Sequence, residues 1–555
     1  MHILPPILTI DHPNTTLKTM KQMLNKIINF DLTAFLSSQI KKANTPFFIS
    51  FITSFVALNL IFLYHGSNFM IGDHDWKYLK HGIPLGAGLF EARFSQFFLI
   101  HLLSYGKIFP IINNLLGFLG FSLGVSLLAK YLKLPTTNKA YILFSLFTTL
   151  TPFILSFMYF TFLVIPCLSW NAIILLGLII SSKETNFNIT KTLSSSLFFT
   201  LALGGYPPVI NLFLTALVSR MFIDYHFEHK SLKDLIKNYR YTIINFIIGA
   251  IIYKVIIFTL TKLGSINPNY YNLQTISPSQ YLSKFKLISQ DLIKQFFITL
   301  PFFTLRYKIT TFLITLLAIV SIFHPKQKPN PQKFSHIISF TLFIAIFYSA
   351  LITLFLSTSI DQTEFSPRID FFGLMYVYSI MLALTLKSKS LITKNLATLL
   401  AIFSILQSTN TLFEAQKVWK LGYDAELKTF KRIIKTYEQS PNFIPEKRYI
   451  IVQGGSHSLR DRFYHTPYQI NSEDLLDISY VPAMNSSVTI NYHKPLEYAD
   501  PTAYVYTFTP NQTAKDFIQQ ASPWPSKNSV SIGEYWIMLV LNQQGLNYLK
   551  SKYLP

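Results

Sequence analysis

Apolar runs of about 20 residues recur along the chain, the length needed to cross a hydrocarbon layer of about 30 Å at 1.5 Å per residue. The first runs from about Pro46 to Tyr64, and others follow at roughly 109–129, 140–157 and 160–181. The stretch from Leu193 to Val218 is apolar but broken by Gly204-Gly205-Tyr206-Pro207-Pro208. Two glycines and two prolines cannot continue a helix without loss of hydrogen bonds, so a hairpin of two short helices turning there is predicted. A span at 241–261 and a long polar loop, Thr261 to Lys308, come next. Further spans are expected near 309–323, 335–357, 370–386 and 395–413. Ahead of them all, Thr16 to Ile40 places Leu17, Met20, Leu24, Ile27, Ile28 and Leu32 at helical spacing among lysines, as an amphipathic surface helix does.

The expected fold is therefore an α-helical polytopic membrane protein of about ten or eleven spans, divided in three. Residues 1–45 form a cytoplasmic amphipathic segment, and 46–413 a transmembrane helical domain with an outer loop at 65–109. Residues 414–555 form a soluble domain, in which Arg448 to Val452 and Val488 to Tyr492 are rich in strand-forming residues and prolines punctuate a small α/β or α+β unit. Met1 to Pro13 lacks the basic start of a secretory signal.

Composition agrees. Half of the 555 residues are hydrophobic and only 13% are charged, about half the share in ordinary soluble proteins. The net charge of +22 could mark a nucleic-acid partner. The lysines, however, sit in short loops between apolar runs, so no nucleic acid is expected and the charge reads as membrane topology. Lys130, Lys133 and Lys139, the stretch Arg220 to Arg240, His324 to Lys333 and Lys387 to Lys394 would be cytoplasmic, putting the N-terminus inside and the C-terminal domain outside. A bacterial inner membrane with that domain in the periplasm is the expected location. The single cysteine, Cys167, excludes a disulfide framework and a thiol metal cluster.

Chemistry concentrates in the first outer loop, Gly72-Asp73-His74-Asp75-Trp76-Lys77 followed by Leu89-Phe90-Glu91-Ala92-Arg93-Phe94. Two carboxylates two residues apart at the water–lipid boundary can converge, and partial burial would make one a better proton acceptor. His74, His81 and His101 do not complete a metal set. Asp73 and Asp75 are the candidate ligands if a divalent ion takes part; no cofactor is otherwise called for. Arg368, in Ser366-Pro367-Arg368-Ile369-Asp370, stands at the outer end of a span, as a phosphate clamp or as a snorkelling interfacial arginine. Lys254 lies well inside a predicted span and is expected to face protein or a cavity.

The acidic pair in Gly72-Asp73-His74-Asp75-Trp76, the approach Gly86-Ala87-Gly88-Leu89-Phe90-Glu91-Ala92-Arg93-Phe94 and the break Tyr206 to Asn211 resemble the integral membrane glucosyltransferases of the type II O-antigen conversion group, within the GT-C class. So does the plan of many spans followed by a late soluble domain. The resemblance is close only around Asp73 to Arg93. That family more often carries glycine before the arginine, where this chain has Ala92. It implies transfer of a sugar, glucose first, from a polyprenyl phosphate to a lipid-linked or surface glycan of the O-antigen or lipopolysaccharide type at the outer face. Phosphate is a good leaving group, so such a reaction needs a base for the acceptor hydroxyl and cations for the phosphate. Asp73 or Asp75 would be the base, and Arg93, Arg368, Lys77 and Tyr206 would line the donor-phosphate site.

The rival readings are a lipid-linked glycan flippase or transporter and an O-antigen polymerase or ligase. Ion-coupled carriers need acids within the membrane. The predicted spans hold none in their interiors, which favours surface chemistry. Polymerases and ligases normally use a late, large outer loop, whereas the acidic pair here is in the first.

Overall fold

In a computed structural model, the structure describes residues 45–68, 82–89, 92–158, 161–182, 187–266, 278–297, 304–322, 335–356, 372–444, 449–454, 490–492 and 510–554. The amphipathic segment expected at Thr16 to Ile40 lies outside them. The chain is largely helical. Among the described residues six helices are long and apolar enough to cross a membrane, or seven when a bent pair is taken as one, so the protein is a multi-pass helical membrane protein.

The first helices are α1 (Thr45–Ser67), α2 (Phe98–Ser104), α3 (Pro110–Tyr131) and α4 (Asn138–Thr149). A single 3-10 turn, Pro152–Ile154, leads from α4 into α5 (Leu155–Met158), with a bend of 43°. Then come α6 (Thr161–Ser181), α7 (Ile189–Gly205), α8 (Val209–His226) and α9 (Leu232–Lys262). Their starts are written locally. Proline at the first turn of α3 forgoes a hydrogen bond that the helix start does not need. Asn188 caps α7, and Ser231 with Asp234 forms a reciprocal capping box on α9.

Close packing depends on small residues, as it must where burial from lipid supplies little hydrophobic drive. Gly117 and Gly120 of α3 lie so near Val164 and Ser169 of α6 that a Cβ on either would overlap them. Because higher numbers on α3 meet higher numbers on α6, the two helices run parallel. Polar pairs fasten other seams: Ser50 to Ser145 at 2.6 Å, Asn114 to His65 at 3.1 Å, and the Tyr376 hydroxyl donating to Asn171 Oδ1 at 2.7 Å. Such bonds are worth about 0.6 kcal/mol each on average in membrane bundles.

The chain reverses at Tyr206–Pro208, as the glycine–proline cluster predicts. Ser196 and Thr200 of α7 donate to Asn245 and Gly249 of α9, both at 2.9 Å, so α7 and α9 are parallel. On α8 it is the C-terminal Asp224 that meets Tyr239, near the start of α9, so α8 runs the other way. One end of the bundle, here the basic end, thus gathers the last turns of α3, α6 and α8 and the first of α9.

The polar loop expected from Thr261 to Lys308 contains a 20-residue amphipathic helix, α10 (Pro278–Phe297). Next are α11 (Leu305–Ile322), α12 (Ser335–Ser349), α13 (Ile352–Leu356), α14 (Leu374–Leu386) and α15 (Leu391–Glu438). Helix α15 has 48 residues, so it is about 72 Å long at 1.5 Å per residue. Its apolar part ends at Lys417, and the rest projects toward the C-terminal unit, where it contacts strand β3 (Val530–Ile532).

That unit holds β1 (Tyr449–Gly454), β2 (Ile490–Tyr492), α16 (Gln512–Gln520), β4 (Trp536–Val540) and α17 (Gln543–Tyr553). The sheet order is β2-β1-β4-β3, with β1 and β4 parallel and the outer pairings antiparallel. Strand β4 is buried throughout, and Trp536, Met538 and Val540 pack with Ile518, Leu546 and Leu549 of the two helices. A mixed sheet under helices needs buried, non-alternating central strands, which Trp-Ile-Met-Leu-Val supplies.

Lys254 departs from expectation. On α9 the buried residues are Leu235, Tyr239, Thr242, Asn245 and Gly249, a single stripe that stops short of it. Lys254 is exposed on the bundle's outer surface rather than turned into protein. Beyond Gly249 the residues of the helix are exposed or half-buried, and the long lysine stem can lie along it.

Candidate functional site

At the end opposite the basic end, the turn between α7 and α8 receives the loop that leads into α2. Gly88 O accepts from Arg93 N at 2.8 Å, closing a tight loop, and Ser95 docks it by donating from N to Gly204 O (3.0 Å) and from Oγ to Leu201 O (2.6 Å). Two glycines make the docking possible. A Cβ on Gly204 would fall within the Phe94 ring, and one on Gly205 within the Trp170 indole. At the loop's base, Ile83 N donates to Gly106 O at 2.8 Å, and the His101 ring bonds Ile83 O at 2.6 Å.

The docked loop lays the Arg93 guanidinium over the Tyr206 ring, 5.1 Å from its centroid. Such a cation–π contact contributes about 0.5–1 kcal/mol when exposed and about 2 when desolvated. Tyr206 packs in turn on Phe157, edge-on at 6.1 Å, and on Phe372 at 5.2 Å. Arg93 is half-buried, so one face rests on aromatic carbon. A guanidinium with five donors in a planar fork suits a phosphate or carboxylate. Ala92, just before it, has φ +55° and is fully buried. A left-handed residue there turns the chain so that Arg93 reaches Tyr206.

Of the residues singled out by sequence, Arg93 and Tyr206 are thus brought together across 113 positions (206 − 93). Asp73, Asp75, Lys77 and Arg368 lie outside the described residues. Asn68 and Gly82, which bracket the acidic segment, are described: Asn68 N donates to Tyr64 O at the end of α1, and Gly82 precedes the Ile83–Gly106 contact. Among the described residues no group of three or more His, Cys, Asp or Glu could hold a metal ion.

The sequence predicts a loop position for Lys308, ahead of a span, but it lies within α11, 5% exposed, and its amine has no hydrogen-bond partner among the described residues. Next to it, the Tyr307 hydroxyl meets Thr151 Oγ1 at 3.4 Å, at the head of the bent segment whose other end carries Phe157. A buried amine is costly unless paired, so this cation is a candidate for an anionic ligand. The signal for it was faint: a lysine at an apolar run's edge usually belongs to a loop.

The basic end holds a second constellation. Asp224 is buried on α8 and takes Arg220 Nη2 at 2.6 Å, Lys230 Nζ at 2.5 Å and the Tyr239 hydroxyl at 2.9 Å. Glu228 takes Lys133 Nζ at 2.7 Å. Burial pushes the Glu228 carboxyl up, but the Lys133 hydrogen bond and the charges of Arg220, Lys133 and Lys230 outweigh it and hold it at about 2. The apolar stretch ends at Val218, which predicts a loop for Arg220. The helix instead continues to His226 and holds an acid, Asp224, in its interior. The four-residue spacing of Arg220 and Asp224, which puts both on one helical face, is the available signal.

Compared with family models, with curated proteins and with solved structures, the chain finds no match.

Proposed function

We propose that the chain is a membrane glycosyltransferase that moves a sugar, glucose first, from a polyprenyl phosphate to a lipid-linked or surface glycan at the outer face of a bacterial inner membrane. The observation that carries the reading is the contact of Arg93 with Tyr206 at the end of the bundle where the acidic segment begins and ends. The helices that alternate in direction are read as ten or eleven membrane spans, with the basic end in the cytoplasm. One of Asp73 and Asp75 takes the acceptor's hydroxyl proton as its oxygen attacks the anomeric carbon, and the bond from that carbon to the phosphate oxygen breaks. Arg93 holds the departing phosphate through two parallel hydrogen bonds, and Lys308 and Arg368 are further cations for its charge. A site facing outward meets lipid-linked donors rather than cytosolic nucleotide sugars.

The test gives purified full-length protein either a polyprenyl-phosphate sugar or a nucleotide sugar, with a glycolipid acceptor. Transfer is expected from the lipid-linked donor alone. Asp73→Asn and Asp75→Asn should each be made and normalised to membrane abundance. One should lose about 10²–10⁴-fold in rate, as expected for a general base, and Arg93→Lys should raise the donor KM. Near wild-type turnover in both Asn variants would end the catalytic reading.

A further inference from the structure

We propose that the cleft at the basic end, walled by α3, α6, α8 and α9, is a binding site for a phosphate-bearing headgroup. The proposal stands whichever chemistry the far end performs.

The cleft has a volume of about 390 Å³, within the roughly 300–1,000 Å³ typical of small-molecule sites. Four of its lining residues are cationic, Lys130 (whose amine also lies over the Phe47 ring), Lys133, Arg220 and Lys230, against one acid, Asp224. Counting Glu228, which holds Lys133, the described residues still leave two positive charges in excess. Lys387 brings a further cation: its amine donates to the Lys133 carbonyl. Burial, and next the charge of Arg220, hold that amine down at about 8.

A purely architectural account explains part of this. Three helices end here with carbonyls facing out, and cations are favoured at helix C-termini. Arg220 Nη1 donates to Tyr131 O at 3.1 Å in that manner. Carbonyls do not account for the Tyr131 hydroxyl, however. Tyr131 lines the cleft, is 6% exposed, and its hydroxyl is buried with no hydrogen-bond partner among the described residues. A buried hydroxyl left unpaired is unfavourable. A phosphate oxygen would accept from it and neutralise the excess charge together. Ser182 and Asn238, also on the wall, are suited to the hydroxyls of a sugar or glycerol attached to that phosphate.

Two sources could supply such a group: a membrane lipid, since the cleft opens at the ends of apolar helices, or a soluble phosphate ester. The full chain, purified in an uncharged detergent, should be titrated with glycerol 3-phosphate, inorganic phosphate and a short-chain phosphatidic acid at matched ionic strength, with phosphatidylcholine as the neutral control. Thermal shift and native mass spectrometry read binding. At least one phosphate-bearing probe is expected to bind and raise Tm. Tyr131→Phe and Lys130→Gln should each weaken it by about tenfold, as loss of a hydrogen bond to a charged group does, with little change in the ligand-free Tm. Binding of phosphatidic acid alone identifies a lipid headgroup; binding of the soluble phosphates identifies a free ester. If no probe binds, or Tyr131→Phe binds every probe as the wild type does, the cluster only fastens helices and the proposal is overturned.

Discussion

The hinge of the candidate site at residue scale is Ala92, whose left-handed backbone turns Arg93 onto Tyr206. An L-residue in that region costs about 1–2 kcal/mol relative to right-handed backbone. Glycine escapes the cost. The methyl of Ala92 is fully buried, and its burial returns about 0.8 kcal/mol. Those two terms nearly offset, so Ala92→Gly should change Tm by no more than a few degrees and keep activity. Ala92→Val adds a branched side chain where φ is positive and space is absent, and should cut both membrane abundance and turnover. Thermal melts of the two variants decide it; a Val variant as stable as the wild type would mean the loop is not held in this conformation.

At the scale of elements, the turn between α7 and α8 does two jobs, reversing the chain and receiving the loop. Only the first was legible in the sequence. Tyr206-Pro207-Pro208 announces a break because prolines cannot donate backbone hydrogen bonds, a local rule that needs no partner. That Gly204 and Gly205 are also needed as bare surface for Phe94 and Trp170 depends on residues far away in sequence, and no local pattern encodes it. Gly205→Ala should therefore be more damaging than a helical alanine normally is. Overpacking of this kind costs about 1–3 kcal/mol, and by displacing Trp170 it would disturb Tyr206 beside it. We expect a lower Tm and lower turnover together. A Gly205→Ala protein with normal turnover would show that the loop does not depend on this docking. The same limit hid Asp224, since hydropathy ends a span at its first charge and cannot tell that charge is about to be paired. Conversely, the strands near Arg448 and Val488 were legible because β-branched and aromatic residues cluster there, though their order in the sheet was not.

Helix α14 adds a pH-dependent link at the same scale, since Lys387 at its end is tied to the Lys133 carbonyl beside Arg220, Asp224 and Glu228. Its amine titrates at about 8 in the folded protein, against about 10.4 for a free lysine. Between those values the unfolded chain binds the extra proton and the folded one does not. This group's contribution therefore makes stability rise with pH in that window, the destabilisation being complete below pH 8. Lys387→Met should flatten the rise. Melting both proteins from pH 7 to pH 10 tests the sign: if the wild type loses stability relative to Lys387→Met as pH rises, the amine is not depressed.

At the scale of the whole molecule, the question is which end faces which compartment, because a base and a phosphate clamp on the cytoplasmic side would meet different donors. The two ends differ in kind. One carries Lys133, Arg220, Lys230 and Lys387 in a tight group. The other receives the Arg93 loop and sends α15 out toward the C-terminal sheet. Basic residues near span ends tend to stay in the cytoplasm, and on that rule we propose that the sheet unit and Arg93 face outward. Single-cysteine labelling resolves this cleanly, because the chain's one cysteine, Cys167, is buried in α6 and Cys167→Ser removes it with little change of volume. In that background Lys515→Cys, half-buried on α16, should react with an impermeant maleimide in intact spheroplasts. His229→Cys, in the turn between α8 and α9, should react only after the membrane is opened. His229 holds φ +56°, so Asn at the same position is the control for local strain. Labelling of His229→Cys in intact cells, with Lys515→Cys protected, would invert the molecule and with it the choice of donor.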